Sequence, residues 1–189
     1  MRVIAGTHRG RHLRGPQGPA LRPTSDRVRE ALFSILGNRL PHSRFLDLYA
    51  GTGAVGIEAL SRGAMHVTCV ESNVEALRLL RRNVSECGMA HQMTIHGQTV
   101  KQFLGRPDHW RGPYDIVFAD PPYAIVKELE SLFGDVAIHH LFADDSWLVI
   151  EHAERTALPT RLGRNAFLRR YDYGDTALSV FSSTGVVQP

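Results

Sequence analysis

Asp120-Pro121-Pro122-Tyr123 places a carboxylate, two prolines and an aromatic ring in succession. An aromatic amine such as guanine N2 or adenine N6 has its lone pair delocalised into the ring, so it is a poor nucleophile. A site that methylates such an amine must accept its N–H bonds and hold the lone pair toward the methyl. Asp120 can accept one bond and the Pro121 carbonyl another, while the two prolines fix φ and leave no competing N–H. Tyr123 offers a flat face on which the base can stack, worth ~1–3 kcal/mol. A proline-stiffened turn would explain Pro121 and Pro122, but not the carboxylate and the aromatic beside them. Asp120, Pro121, Pro122 and Tyr123 are the expected catalytic set.

A second group lies upstream. Gly51-Thr52-Gly53-Ala54-Val55-Gly56 matches G-x-G-x-x-G, and Glu71 follows at the spacing of about 20 residues that a dinucleotide site also shows. Asp47 separates the two readings, because its carboxylate precedes the turn and would repel a pyrophosphate. It would attract the ammonium of a bound amino acid. S-adenosylmethionine carries that ammonium, a sulfonium and an adenosine whose ribose hydroxyls suit Glu71. Asp47, Ala50, Gly51, Thr52, Gly53, Glu71 and Ser72 are therefore the expected cofactor contacts, with Asp120 reaching the same ligand.

These residues need a scaffold that brings strand ends together. From residue 44 apolar strands alternate with amphipathic helices: strands at 44–49, 66–71, 93–96, 114–119 and 147–150, and helices near 55–62, 74–87 and 125–136. Repeated βα units imply a mostly parallel sheet covered on both faces, and ligands of such sheets bind beyond the carboxyl ends of the strands. Val74, Leu77, Leu80 and Val84 form the expected apolar stripe of the long helix, with Asn73 as its cap. Asp144 and Asp145 read as loop before the last parallel strand. Phe167–Asp172 and Ala177–Ser182, joined through Gly174-Asp175, read as an antiparallel C-terminal hairpin.

The N-terminal 43 residues form a different expected unit, set against a catalytic domain over 44–189. Arg2–Ala5 and Arg11–Arg14 flank a glycine-bounded turn, and Thr24 or Ser25 can cap a helix carrying Val28, Ala31, Leu32, Ile35 and Leu36. Residues 1–44 hold nine Arg against two acids, whereas the whole chain has a net charge of only +3. A basic arm on a mildly acidic body suggests a polyanion partner. Arg2, Arg9, Arg11, Arg14, Arg22, Arg27 and Arg29 are the candidate nucleic-acid contacts; for Arg27 and Arg29 the alternative is pairing with Asp26 and Glu30.

Other classes are disfavoured. No run approaches a membrane span and no apolar leader follows Met1. Two cysteines, Cys69 and Cys87, suit a reduced cytoplasm, and Cys69 lies in an apolar run as a buried inert thiol. The ten His show no pair with a convincing third ligand, so no metal is expected. His139 and His140 read as surface, Trp110 and Trp147 as packing.

The chain as a whole resembles the bacterial small-subunit methyltransferase D family, which methylates a guanine N2 of 16S ribosomal RNA. The resemblance is carried by Arg2–Gly6, Arg22-Pro23-Thr24-Ser25-Asp26-Arg27-Val28-Arg29-Glu30-Ala31-Leu32-Phe33, Leu46–Gly53, Asp120–Tyr123 and Tyr173-Gly174-Asp175-Thr176. It implies a Rossmann-like class I methyltransferase fold using S-adenosylmethionine, with an N-terminal β-hairpin arm that contacts rRNA. It also implies that Asp47, Gly51, Gly53 and Glu71 hold the cofactor and Asp120–Tyr123 the target base. Where the family often carries an acidic residue near the adenine, this chain has Gly97-Gln98-Thr99, and Gln98 is the expected substitute contact. The expected substrate is 16S rRNA in the 30S subunit or an assembly intermediate, and the expected state is a cytoplasmic monomer. The alternatives are a DNA adenine-N6 methyltransferase and a non-catalytic RNA-binding or ribosome-assembly factor.

Overall fold

The computed structural model describes residues 1–15, 25–122 and 129–184, and their contacts divide the chain into two units, Met1–Val100 and Lys101–Pro189. In the first unit β1 (Arg44–Leu48), β2 (His66–Glu71) and β3 (Met93–Gly97) run parallel with β2 in the middle. β1 and β2 are nearly continuous apolar runs, as strands covered on both faces must be; Phe45, Leu46, Leu48, Val67, Cys69 and Val70 are all buried. Helix α2 (Ala54–Ser61), buried at every position, lies on this sheet. A Cβ at Gly56 would stand 3.0 Å from both Cys69 Sγ and Val67 Cγ1, so the missing side chain is what lets α2 approach β2. Gly56→Ala is expected to destabilise the fold by about 1–3 kcal/mol through overpacking. A thermal midpoint equal to wild type would refute that account.

Helix α3 (Val74–Cys87) begins on Asn73, whose Oδ1 accepts from the Ala76 amide at 2.9 Å, and ends on Gly88 in the left-handed region. Its buried face carries Leu77, Leu80 and Val84 as expected, but Val74 is 81% exposed. At the first helical position the side chain has not yet turned toward the sheet.

Helix α1 (Asp26–Leu36) is capped by Ser25, whose Oγ accepts from the Val28 amide at 3.2 Å. Its buried residues are Val28, Arg29, Leu32, Phe33 and Leu36, while Ala31 and Ile35 are only half-buried. The buried stripe is thus rotated to include Arg29, and Phe33 stacks on Phe45 with ring centroids 6.5 Å apart.

Residues 1–15 fold as a minimal antiparallel hairpin. Val3 donates to the Arg11 carbonyl at 2.9 Å, Gly10 to the Val3 carbonyl at 2.9 Å and Leu13 to the Met1 carbonyl at 3.0 Å. Val3 and Leu13 are buried, and Gly6 sits at φ +83° where a Cβ would fall 1.8 Å from the Ser61 carbonyl. The arm is fastened to α2 and α3 by buried polar groups. Both Glu58 oxygens accept from it, from the Ile4 amide at 2.7 Å and the Ala5 amide at 2.9 Å. Asn83 accepts from the Arg14 amide at 2.8 Å and donates to the Arg14 and Thr52 carbonyls at 3.1 and 3.0 Å. One amide side chain therefore joins the arm to the glycine turn.

The second unit holds short helix α4 (Val100–Leu104, whose first residue closes the first unit), β4 (Tyr114–Ala119) and short helix α5 (Leu129–Phe133). These are followed by β5 (Phe142–Ala153), β6 (Arg161–Leu162), β7 (Asn165–Tyr173) and β8 (Thr176–Ser182). β4 pairs parallel with β5, after which β8, β7 and β6 add antiparallel in that order. Two expectations change here. The helix read over 125–136 ends at Phe133, with its first residues outside those described, because Gly134 interrupts it. Asp144 and Asp145 lie inside β5, which begins at Phe142 through its pairing with Tyr114. The two-residue β6 had no signal in the sequence, whereas the β7–β8 hairpin turns through Gly174-Asp175 as read, with Gly174 at φ +70°.

Candidate active site

The carboxyl ends of β1 and β2 are joined by one carboxylate. Glu71 Oε2 accepts from the Gly51 amide at 2.7 Å, and Oε1 accepts from the Ser72 and Asn73 amides at 2.8 and 2.7 Å. Glu71 thus staples the glycine turn to the start of α3. Between β1 and α2 the backbone takes positive φ at alternate residues: Tyr49 (66°), Gly51 (55°) and Gly53 (81°). Glycine makes two of these easy, but Tyr49 in the left-handed region is a strained position of the kind that clusters at ligand sites. Around a Cβ placed on Gly51 nothing lies within 4 Å, so this glycine is needed for its φ and leaves open space at the turn. The turn is held by the Ala50 amide on the Val70 carbonyl at 2.9 Å and the Gly53 amide on the Ala50 carbonyl at 2.8 Å.

Asp47, at 1% exposure, lies in β1 directly opposite Cys69. Burial pushes the Cys69 thiol well above its ordinary value, and the negative charges of Asp47 and Glu71 push it further. Cys69 therefore stays a thiol, an inert neighbour as expected, in a locally negative environment. Of the other cofactor candidates, Ala50 and Thr52 are buried in the turn, Ser72 follows Glu71, and Gln98 is half-buried just after β3. The first unit thus brings Asp47, Ala50, Gly51, Thr52, Gly53, Glu71 and Ser72 around one turn. A buried carboxylate, a second carboxylate and open space at Gly51 suit a cationic amino-acid ligand bearing an adenosine.

In the second unit, β4 delivers Asp120 at its carboxyl end, with Asp120 half-buried, Pro121 buried and Pro122 exposed. Tyr123 lies outside the described residues. Ala119 pairs with Ile150, so continuing the register by one residue sets Asp120 level with Glu151, which is 8% exposed. Sequence reasoning passed over Glu151. The available signal was the one used for Asp47 and Asp120, a carboxylate where an apolar strand meets the ligand edge. Tyr49 and Asn83 were missed as well, and neither carries a local signal.

The arm's cations separate into two kinds. Arg29 is fully buried: Nη2 donates to the Arg2 carbonyl at 2.6 Å and to Asp26 at 3.0 Å, while Nε faces Glu58 at 3.8 Å. It cannot reach a polyanion, and its expected RNA contact is replaced by the pairing alternative, with Glu58 in place of Glu30. Arg14 pairs with Glu86 at 3.0 Å and Arg11 donates to the Glu86 carbonyl at 2.6 Å, both from exposed positions. Arg2, Arg9 and Arg27 are exposed, and Arg22 lies outside the described residues. Among the described residues no group of His, Cys, Asp and Glu could hold a metal ion, and no helix is long and apolar enough to cross a membrane.

Comparison with known proteins finds relatives along most of the chain. The family model described as conserved hypothetical protein 95 matches residues 1–182. A Bacillus subtilis protein named as a candidate rRNA methyltransferase is 32% identical over 189 residues, covering 98% of this chain and 100% of that one. The ribosomal RNA small subunit methyltransferase D of Escherichia coli K12 is 35% identical over 162 residues, covering 85% and 78%. A solved Escherichia coli structure, described as a candidate methyltransferase, superposes with a TM-score of 0.81 at 33% identity, covering 96% and 97%.

Proposed function

Because this chain belongs to the family described as conserved hypothetical protein 95, with the small-subunit methyltransferase D of Escherichia coli among its relatives, we infer that it is an S-adenosylmethionine-dependent rRNA methyltransferase whose target is a guanine N2 of 16S rRNA. The observation that carries the reading is Asp120, held half-buried at the end of a buried parallel strand and followed by two prolines.

When bound, S-adenosylmethionine supplies a methyl already activated on a sulfonium. The residues of this chain have the remaining tasks. Asp47 attracts the ammonium, Glu71 accepts from the ribose hydroxyls, and the glycine backbone, open at Gly51, admits the methionine part; Gln98, following β3, takes the adenine edge. Asp120 and the Pro121 carbonyl accept the two N–H bonds of the target amine and aim its lone pair. Tyr123 stacks on the base, which must leave its helix to reach the site. Rate enhancement then comes mainly from positioning. Residues 1–43 serve as an RNA-contacting extension through Arg2, Arg9, Arg11, Arg14, Arg22 and Arg27. The enzyme works as a cytoplasmic monomer on the 30S subunit or an assembly intermediate.

The test is to incubate the protein and labelled cofactor with 30S particles from a strain lacking the activity, then digest the RNA to nucleosides. Label is expected in N2-methylguanosine. Label in N6-methyladenosine, or none in RNA, overturns the reading.

A further inference from the structure

We propose that the outer antiparallel strands of the second unit form a second RNA-binding strip, in which Arg161 and Arg169 take phosphates and Tyr171 and Tyr173 stack nucleotides flanking the target. The proposal rests on the reading that the substrate is RNA, and it gives a role to the Tyr173–Thr176 segment, which the site does not use.

Strand register places the strip. Residues paired across a sheet share a face. Glu151 pairs with Leu178, which pairs with Tyr171; Val149 pairs with Val180, which pairs with Arg169. Ala153, Thr176 and Tyr173 form the next row, and Trp147, Ser182, Ala166 and Arg161 align further back. All four strip residues therefore share one sheet face, that of Glu151, the residue next after the last β4 pairing of Ala119 with Ile150. Tyr171 stands three interstrand steps from Asp120, about 14 Å. The irregularity between Phe167 and Arg169 is what brings Arg169 onto this face, because it breaks the alternation that would set it beside Phe167.

Charge divides between the two faces of β7. On the opposite face Arg170 is neutralised by Asp172 at 2.7 Å. On the Glu151 face Arg161 and Arg169 are exposed and form no ion pair among the described residues. Arg169 instead lies over the Tyr171 ring, 6.0 Å from its centroid. Unpaired guanidinium groups interleaved with half-exposed tyrosines are the composition that grips single-stranded RNA, where phosphates meet cations and bases meet rings.

The experiment compares wild type, the double variant Arg161→Gln/Arg169→Gln, the variant Tyr173→Ser, and Arg170→Gln as a control from the other face. Binding of a 16S rRNA fragment is measured against salt, together with KM, kcat and cofactor affinity. For the double variant the slope of log K against log salt should become shallower by about 1.4, at about 0.7 per single-strand phosphate. For Tyr173→Ser, KM for RNA should rise on the order of tenfold, the scale of one lost stack. Both should keep wild-type kcat and cofactor affinity, and Arg170→Gln should match wild type throughout. Unchanged slope and KM in the strip variants, or an equal effect from Arg170→Gln, overturns the strip while leaving the functional reading intact. A wild type that binds rRNA through the strip but methylates none of it retains the strip and overturns the functional reading. A wild type that binds no RNA overturns both.

Discussion

Asp120→Ala is expected to lower kcat for methyl transfer on the order of a thousandfold, the scale of losing one preorganised acceptor and the orientation it enforces, with S-adenosylmethionine affinity near its wild-type value. The separation follows from where the carboxylates lie. Asp47 and Glu71 belong to the glycine turn of the first unit, where Glu71 also accepts from the Gly51, Ser72 and Asn73 amides. Asp120 closes a strand of the second unit, beside prolines that cannot donate. Asp120→Asn is the sharper variant, because it keeps one acceptor oxygen and loses the charge while adding an N–H donor that opposes the amine. It should fall between wild type and alanine. Single-turnover assays at saturating cofactor, with calorimetric titration of the cofactor alone, check both statements. Wild-type turnover by Asp120→Ala would refute its role toward the amine, and a cofactor affinity that falls as far as kcat would reassign it to the donor site.

Features that depend on a few neighbouring residues were legible in the sequence. Ser25, one of two candidate caps with Thr24, and Asn73 act as caps, Gly88 ends its helix, and Gly174-Asp175 turns the last hairpin. The glycine turn with its carboxylates was legible for the same reason, since Asp47, Gly51 and Glu71 are placed by the ends of strands whose apolar runs are plain. What escaped depends on partners far along the chain. Asp144 and Asp145 have poor strand propensity, yet β5 extends through them because Phe142 pairs with Tyr114. Val74 fits an apolar spacing but precedes the point where α3 meets the sheet. Arg29 read as a cation off the apolar stripe and is fully buried, a fate decided by Glu58 in another helix and by the arm folded over both. Glu58 and Asn83 were silent in the sequence, because polar residues within helices are ordinarily solvated.

That burial sets the second large effect. Glu58 is 0% exposed; its Oε1 accepts from the Ala5 amide at 2.9 Å and Arg62 Nε at 2.7 Å, and its Oε2 accepts from the Ile4 amide at 2.7 Å and faces Arg29 Nε at 3.8 Å. Arg29 Nε and Nη1 are buried without a hydrogen-bond partner among the described residues, so the guanidinium depends on the nearby carboxylate charge. Glu58→Ala removes the buried carboxylate beside that cation, leaving it only the exposed Asp26 and the Arg2 carbonyl on Nη2, and leaves two arm amides unsatisfied, a loss of about 3–5 kcal/mol. At roughly 2–4 °C per kcal/mol for a chain of this size, the thermal midpoint should fall on the order of 10 °C. Glu58→Gln keeps one acceptor oxygen for the arm, sets an N–H donor against the other amide and loses the charge, but it opens no cavity and should fall less than Glu58→Ala. Adding Arg29→Met to Glu58→Ala removes the under-compensated buried cation and should recover part of the loss, a non-additivity that a double-mutant cycle reads directly. Hydrogen exchange at the Ile4 and Ala5 amides should accelerate in Glu58→Ala even under conditions where β1 and β2 stay protected, because the arm opens before the sheet. A Glu58→Ala protein that melts with wild type, or a double variant no better than the sum of its parts, would mean that hairpin packing through Val3 and Leu13 holds the arm without this carboxylate.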